Sequence, residues 1–155
     1  MSMKKIDLIC YDFDGVMTDN IAYIDENGRE MVKINRSDGL GVSEIKQLGL
    51  KQIIISTEKN PVVGQRSKKL GLTCLQGISD KSDALKEYCK KNNINLDEVA
   101  YVGNDINDLE AMKLAGVTFC PADAHSSVKN ISDHILSSKG GEGVVREIFD
   151  HLIKN

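Results

Sequence analysis

Three kinds of segment are missing from the sequence: a long apolar run, a basic tract and a paired cysteine motif. No apolar segment approaches the ~20 residues that cross a bilayer, and residues 1–15 lack the apolar stretch and cleavage site of a signal peptide. The net charge is −3, and no cluster of lysine and arginine favours nucleic acid or an anionic membrane. We therefore expect a cytoplasmic protein with neither a nucleic-acid nor a membrane partner.

The cysteines are widely spaced and form neither a C-x-x-C pair nor a Cys/His zinc pattern. Three of them lie within or beside apolar runs, where a thiol usually packs as a small apolar side chain. We interpret them as buried and reduced, which agrees with a cytoplasmic location. The four cysteines are Cys10, Cys74, Cys89 and Cys120.

A chain of 155 residues suits one domain with a sizeable core, and we predict a single domain over residues 1–155. Short continuous apolar runs alternate with amphipathic segments, which is typical of strands that helices bury on both faces. The sequence thus predicts an α/β fold with a doubly wound parallel sheet.

Local signals place the predicted elements. Asn60 and Pro61 are a strong helix start, with Asn as the cap and Pro in the first turn. In the first helix, the spacing places Leu40, Ile45 and Leu48 near the core. The predicted strands cover residues 6–11, 52–56, 72–75, 99–102, 117–120 and 134–136, and the predicted helices cover 38–48, 61–70, 80–92 and 141–153.

One segment interrupts the alternation. Two β-prone runs, residues 21–24 and 31–34, flank Asn27-Gly28, a dipeptide that favours a hairpin turn. A hairpin so soon after the first strand projects from the sheet as a flap over about residues 17–35. Its apolar residues have little of their own domain to pack on, so they indicate either a subunit interface or an ordinary surface hairpin.

Polar side chains follow each of the first four predicted strands, at the edge where doubly wound sheets bind ligands. Taken singly, each has an ordinary alternative as a turn, a helix cap or a solvated residue. Their convergence on one edge favours a shared site instead, and the spacing does not fit a calcium-binding EF-hand. They are Asp12, Asp14 and Gly15 after the first strand, Ser56 and Thr57 after the second, Lys81 after the third, and Asn104, Asp105 and Asp108 after the fourth.

These groups suit phosphoryl transfer. Two carboxylates spaced i and i+2 beside an oxygen-rich loop match a hard cation, Mg²⁺ best of all, which would neutralise and orient a phosphate. Asp12 is then the nucleophile that forms an aspartyl-phosphate, and Asp14 protonates the leaving oxygen and later activates water. Ser56 and Lys81 would bind phosphoryl oxygens.

The motif D-x-D-G-V-x-T-D from Asp12 and the motif G-N-D-x-x-D from Gly103, with Ser56 and Lys81 between them, resemble the four motifs of the haloacid dehalogenase superfamily. The resemblance covers most of the chain. It implies that Asp12 is the nucleophile and Asp14 the general acid and base, and that Ser56 and Lys81 hold the phosphoryl group. It also implies Mg²⁺ held by Asp12, the backbone carbonyl of Asp14 and an acid of the fourth motif.

The chain departs from the family at Asn104, where an Asp is usual. An amide oxygen can ligate Mg²⁺ but carries no charge, so we expect weaker metal binding than an acid would give. Asp12 is then the formal anionic ligand, and Asp105 or Asp108 lies close enough to assist directly or through water.

The chain has no room for a cap domain, and the flap takes its place. The tail G-G-E-G-V-V-R-E, which contains Arg146, resembles the ending of the capless 3-deoxy-octulosonate 8-phosphate phosphatases, as do Asp38-Gly39 and residues 121–124. Those proteins are tetramers in which hairpins pack together and a neighbour's tail helps to close the site. The resemblance therefore implies a homotetramer and a site role for Arg146, whose alternative is a salt bridge on the helix face.

The residues after Ser56 bear on the substrate. Thr57-Glu58-Lys59 look more like the phosphatases of nine-carbon, sialic-type acids, and like the phosphatase-like domain of some acylneuraminate cytidylyltransferases, than like the octulosonate enzymes. Glu58 can accept hydrogen bonds from sugar hydroxyls, and Lys59 can attract a substrate carboxylate. The alternative is that both are solvated residues. Gly15 and Thr57 complete the expected substrate-binding set.

We therefore expect a Mg²⁺-dependent phosphatase that acts on a nonulosonic acid 9-phosphate through a phospho-enzyme on Asp12. One alternative is a 3-deoxy-octulosonate 8-phosphate phosphatase, with the same chemistry on one fewer carbon. A second is a weakly active or inactive tetramerisation domain that supports an acylneuraminate cytidylyltransferase.

Overall fold

Six parallel strands form the central sheet of the protein, for which a computed structural model describes residues 5–154. A separate two-stranded hairpin and flanking α-helices complete this part of the chain. The strands are β1 (Leu8–Tyr11), β2 (Thr18–Ile24), β3 (Glu30–Ile34), β4 (Lys51–Ile55), β5 (Thr73–Leu75), β6 (Val99–Val102), β7 (Val117–Cys120) and β8 (His134–Ile135). The helices are α1 (Arg36–Gln47), α2 (Pro61–Leu70), α3 (Lys81–Asn92), α4 (Leu109–Leu114), α5 (Ser126–Ile131) and α6 (Val144–Lys154).

The strand order in the sheet is β5-β4-β1-β6-β7-β8, and each neighbouring pair is parallel. The chain moves outward from β1 through β4 to β5, then returns to the other side of β1 with β6 and moves outward again. The order therefore reverses between β1 and β6, which is where doubly wound sheets bind their ligands. The predicted fold class is confirmed.

Helices cover both faces of the sheet. On one face, α1, α2 and α6 bury Val42, Val63 and Ile148; on the other, α3 and α5 bury Leu85 and Val128 together with side chains of α4. Strands β1 and β6 are buried along their whole length, which accounts for their uninterrupted apolar sequences. Among the described residues, every helix is too short or too polar to cross a membrane.

The predicted strands and helices are present near their predicted positions, but α4 and α5 were missed. Each has only six residues, too few for an amphipathic period to emerge. In α1, Ile45 is buried as predicted, whereas the predictions for Leu40 and Leu48 are wrong because both side chains are largely exposed. The buried stripe runs through Gly41 instead, because α6 packs so closely that a Cβ on Gly41 would lie 2.9 Å from the backbone nitrogen of Arg146.

The flap is the antiparallel hairpin β2–β3, over residues 18–34. Val32 and Ile34 pack against the core, and Asn60 Nδ2 donates a hydrogen bond to Glu30 Oε2 at 3.1 Å, which ties the flap to the start of α2. The outer side chains remain exposed, so the flap presents an apolar surface. These side chains are Ile21, Tyr23, Ile24 and Met31, each at least 60% exposed.

A buried carboxylate joins α1 to α6. Asp38 Oδ1 accepts a hydrogen bond from the backbone N–H of Val145 at 3.1 Å, in the first turn of α6. Burial raises the pKa of Asp38 to about 6, although the backbone N–H groups of Val145 and Arg146 and the charge of Arg66 oppose the shift. The folded chain therefore binds a proton at Asp38 more tightly than the unfolded chain does.

Asp38 should make stability depend on pH. Because its pKa rises from 3.8 to about 6 on folding, its contribution is complete below about pH 4 and is lost as the pH rises through 6. We expect Asp38→Asn, which keeps an oxygen to accept from Val145, to raise the free energy of unfolding at pH 8 by up to about 3 kcal/mol. Urea unfolding from pH 4 to pH 8 measures this.

The gain in free energy of unfolding from Asp38→Asn should shrink as the pH falls toward 4. The control variant Asp97→Asn, at an exposed carboxylate, should show no such dependence on pH. A stability difference between Asp38→Asn and wild type that stays constant from pH 4 to pH 8 would contradict the assignment.

Candidate active site

The predicted site residues meet where β1 and β6 end. Tyr11 and Val102, the last residues of these strands, are register partners, so the loops that follow begin side by side. A small cleft of about 80 Å³ lies between these loops and the end of β4. The residues that line it are Asp12, Asp14, Asn20, Ser56, Thr57, Asn104, Asp105 and Asn107.

A buried lysine holds two carboxylates at the back of this cleft. Lys81 Nζ lies 2.9 Å from Asp12 Oδ1 and 2.9 Å from Asp108 Oδ1. Burial alone would lower the pKa of Lys81, but attraction to the two carboxylates outweighs it and raises the pKa to about 12. Lys81 begins α3, whose cap Asp80 accepts from the backbone N–H of Asp83 at 3.0 Å. The lysine therefore keeps its charge and a defined position.

Both carboxylate oxygens of Asp108 accept hydrogen bonds from other groups of the protein. Besides Lys81, its Oδ1 accepts from Tyr101 Oη at 2.9 Å, and its Oδ2 accepts from the backbone N–H groups of Asn104 at 3.0 Å and Asp105 at 3.2 Å. Four donors thus share its two oxygens, and the residue is fully buried. These contacts order the loop that carries Asn104. The metal-ligand role of Asp108 stays a prediction, and its contacts are those of a residue that positions the loop.

Two oxygen atoms and one end of an amide group cluster in front of Lys81. That end of the Asn104 amide lies 2.8 Å from Asp12 Oδ2 and 3.0 Å from the backbone oxygen of Asp14, and it would present its oxygen to a bound cation. Adjacent ligands of an octahedral Mg²⁺, with bonds of about 2.1 Å, are also ~3.0 Å apart. The described residues contain no group of three Asp, Glu, His or Cys side chains able to hold a metal. The candidate set instead combines a carboxylate, a backbone carbonyl and an amide, all hard oxygen donors.

Glycine is required beside Asn104. Gly15 has φ of +82°, and a Cβ there would lie 1.9 Å from Asn104 Nδ2, so a larger residue would be strained and would displace the amide. The tail approaches the same loop, because a Cβ on Gly140 would lie 2.1 Å from the backbone oxygen of Gly15. The Gly-Gly pair of the tail thus lets residues 140–141 pack directly on the loop after β1.

The two carboxylates after β1 differ in their surroundings. Burial raises the pKa of Asp12, and the charge of Asp108 adds to the shift, whereas Lys81 opposes it. Burial also raises the pKa of Asp14, and the charges of Glu58 and Glu30 add to that shift. A raised pKa favours the protonated form of either carboxylate, which a proton donor requires of Asp14, so the direction of the shift does not by itself distinguish the two residues. Asp12 lies against the cation that favours its ionised form.

Some of the other predicted phosphate- and substrate-binding residues line the cleft, and others lie outside its lining. Ser56 is buried at the cleft, where its Oγ accepts from the backbone N–H of Glu58 at 3.1 Å, and Thr57 lines the cleft beside it. Glu58 is outside the lining, although its charge acts on Asp14, and Glu58 Oε1 accepts from the backbone N–H of Lys59 at 3.1 Å. The structure does not bring Lys59 into the lining, so its substrate role stays a prediction.

Arg146 lies away from the cleft of its own chain. Its Nε is 3.7 Å from Asp150 Oδ1, and its guanidinium carbon is 5.8 Å from the centre of the Phe149 ring. Both contacts are local to α6 and match the alternative of a helix-face salt bridge. A site role for Arg146 stays a prediction and requires another copy of the chain.

Sequence reasoning missed two amides that line the cleft, Asn20 and Asn107. Asn20 has φ of +66°, a left-handed conformation that Asn tolerates, and its backbone N–H donates to Thr18 Oγ1 at 3.1 Å. The signals were its place directly after the first motif and the place of Asn107 inside the polar cluster after β6. Amides are also common in turns, so neither position by itself indicates a binding site.

Two kinds of comparison relate the chain to known proteins. Residues 17–148 match the family model described as haloacid dehalogenase-like hydrolase. The chain is 35% identical over 151 residues to the 3-deoxy-D-manno-octulosonate 8-phosphate phosphatase of Escherichia coli strain K12, which covers 97% of this chain and 80% of that protein.

Two solved structures are also similar over nearly the whole chain. A HAD family hydrolase from Streptomyces avermitilis MA-4680 superposes with a TM-score of 0.91 at 43% identity, covering 93% of this chain and 83% of that one. The 3-deoxy-D-manno-octulosonate 8-phosphate phosphatase of Moraxella catarrhalis, solved in complex with magnesium ion, phosphate ion and KDO, gives a TM-score of 0.93 at 34% identity, covering 97% and 87%.

Removing the buried cation should destabilise the fold. Lys81→Met would leave the Asp12 and Asp108 carboxylates buried without a cation, so we expect the free energy of unfolding at pH 7 to fall by about 3–5 kcal/mol in urea denaturation. Lys86→Met is the matched control on the same helix, because Lys86 is exposed and lies 3.8 Å from Asp83. It should change stability by no more than about 0.5 kcal/mol. Equal losses in the two variants would contradict the network.

Proposed function

The chain belongs to the haloacid dehalogenase-like hydrolases, and from this premise we propose that it is a Mg²⁺-dependent phosphatase of a sugar-acid phosphate that works through an aspartyl-phosphate on Asp12. One observation carries the proposal: Asp12 is held by Lys81 at 2.9 Å on one side and faces Asn104 at 2.8 Å, with the Asp14 carbonyl beside it, on the other. A nucleophile, a cation and a set of hard oxygen ligands therefore adjoin one another.

In this proposal each residue of the cleft has a separate task. The Asp12 carboxylate attacks phosphorus, while Ser56 Oγ and the Lys81 ammonium bind phosphoryl oxygens. Asp14 gives its proton to the leaving sugar oxygen and later takes one from the water that attacks the aspartyl-phosphate. Asp12, the Asp14 carbonyl and Asn104 would hold Mg²⁺, which when bound neutralises phosphate charge and orients it for in-line attack.

The comparisons favour an eight-carbon substrate. Relatives that match 97% or more of the chain are named 3-deoxy-D-manno-octulosonate 8-phosphate phosphatase. We therefore place this substrate first, which reverses the order that the residues after Ser56 favoured. The nine-carbon acid is the second candidate, because Glu58 lies near enough to raise the pKa of Asp14 and so adjoins the place where the sugar would leave the cleft.

The small volume of the cleft supports a proposal about how copies of the chain assemble. Its 80 Å³ suits a phosphoryl group, whereas pockets for whole ligands of drug size are about 300–1,000 Å³. The sugar must therefore extend beyond the residues of this cleft. We propose a homotetramer in which flaps pack together and a neighbouring tail, with Arg146, covers the sugar. The exposed apolar side chains of the flap support this arrangement.

A kinetic comparison tests the proposed activity. With Mg²⁺ present, we expect kcat/KM for 3-deoxy-octulosonate 8-phosphate to exceed that for a sialic-type 9-phosphate by about tenfold or more. Asp12→Asn removes the nucleophile at nearly constant shape and should lower kcat by about a thousandfold or more without loss of folding. Asp97→Asn is the control for a distant carboxylate.

The outcomes separate the alternatives. A preference for the nine-carbon ester would establish the second candidate. Hydrolysis of neither ester by folded protein would favour an assembly domain that supports a cytidylyltransferase. Full activity of Asp12→Asn would rule out the phospho-enzyme.

Assembly is tested on the outer face of the flap. Tyr23 and Met31 are cross-strand partners and share one face. We expect Tyr23→Glu combined with Met31→Glu to convert tetramers to smaller species in light scattering, because burying two new charges in an apolar interface is costly. Ile135→Glu, at an exposed side chain of β8, should leave the mass unchanged. A tetramer that survives the flap variant would contradict this interface.

A further inference from the structure

The side-chain amide of Asn104 has two orientations with opposite consequences. With its oxygen toward Asp12 and Asp14, that oxygen faces only acceptors and the nitrogen faces only donors. After a half-turn about the Cβ–Cγ bond, the nitrogen lies 2.8 Å from Asp12 Oδ2 and 3.0 Å from the Asp14 backbone oxygen, and it donates a hydrogen bond to each. The first orientation suits a bound cation, and the second suits its absence.

We propose that Asn104 competes with the metal ion from within the chain. In the metal-free protein, its amide nitrogen donates to the two oxygens that would ligate Mg²⁺, and metal binding requires the amide to turn and present its oxygen. This inference rests on the magnesium site of the proposed function. It assigns Asn104 a second role, that of stabilising the metal-free site.

Burial is what makes the competition strong. Asp12 and Asn104 are only 6% and 8% exposed, so most of each side chain is shielded from solvent. A buried acceptor without a donor is costly, and a hydrogen bond to a carboxylate is stronger than one between neutral groups. An Asp at position 104 has no N–H to offer, and it would face the Asp12 carboxylate at about 2.8 Å with like charge. Of the two, the amide alone can satisfy the site both with and without a cation.

The turn is confined to the end of one side chain. The backbone N–H of Asn104 donates to Asp108 Oδ2 at 3.0 Å, and its carbonyl accepts from the backbone N–H of His125 at 2.8 Å, so the backbone is held at both polar groups. The amide lies over Gly15, which has no side chain to obstruct it. The loop can therefore stay in place while the amide turns.

Binding measurements on the substrate-free protein test the proposal. After removal of metal with a chelator, Asn104→Ala loses the two hydrogen bonds and Asn104→Asp adds the repulsion, so both should unfold at a lower temperature than wild type. Asn104→Asp should then bind Mg²⁺ at least about tenfold more tightly than wild type by calorimetry. It should also gain more thermal stability when saturated with Mg²⁺.

Asn107→Asp is the matched control, because it adds the same charge to the lining of the same cleft. It should leave the metal-free unfolding temperature near that of wild type and tighten Mg²⁺ binding less than Asn104→Asp does. In wild type, the side-chain ¹⁵N resonance of Asn104 should shift on addition of Mg²⁺, since its hydrogen-bond partners change.

The proposal is overturned if wild type and Asn104→Ala unfold at the same temperature without metal, or if Asn104→Asp binds Mg²⁺ no more tightly than Asn107→Asp. Neither measurement uses a sugar phosphate. Failure of the chain to hydrolyse such esters would therefore count against the proposed function alone, and the two ideas can fail separately.

Discussion

The ion pairs of Lys81 with Asp12 and Asp108 are the interaction on which the rest of the site depends. They join three separate parts of the chain: the end of β1, the start of α3 and the turn after β6. Two buried carboxylates this close would repel each other without the lysine between them. Asp108, once held, orders the backbone of Asn104 and Asp105. One buried cation thus positions both walls of the cleft.

In the proposed function, the residues of the cleft act on the phosphoryl group, and recognition of the sugar requires residues beyond it. Its lining offers carboxylates, amides and hydroxyls within a small volume of about 80 Å³. The flap contributes Glu30 near Asp14 but turns most of its apolar surface outward. The proposed tetramer would place the reaction in one chain and leave selectivity to the neighbouring copy that covers the flap and the cleft.

Much of the fold could be predicted because its signals are local. Apolar runs such as residues 99–102 are buried on both faces, and Asn60 caps α2 as its sequence indicates. Predictions failed where a distant contact decided the outcome. Leu40 is exposed because close packing of α6 selects Gly41 for the buried face of α1. The short α4 and α5 depend on packing rather than on a periodic pattern of their own.

The sequence by itself determined which strand ends share the site, because the carboxyl ends of parallel strands meet at one edge and motif order assigns each strand end. The tertiary structure alone decided what each oxygen faces. Asp108 points to Lys81, Tyr101 and two backbone N–H groups, whereas Asn104 points to Asp12 and Asp14. Side-chain direction depends on partners far away along the chain, so Asn104 and Asp108, four positions apart in one turn, face different groups.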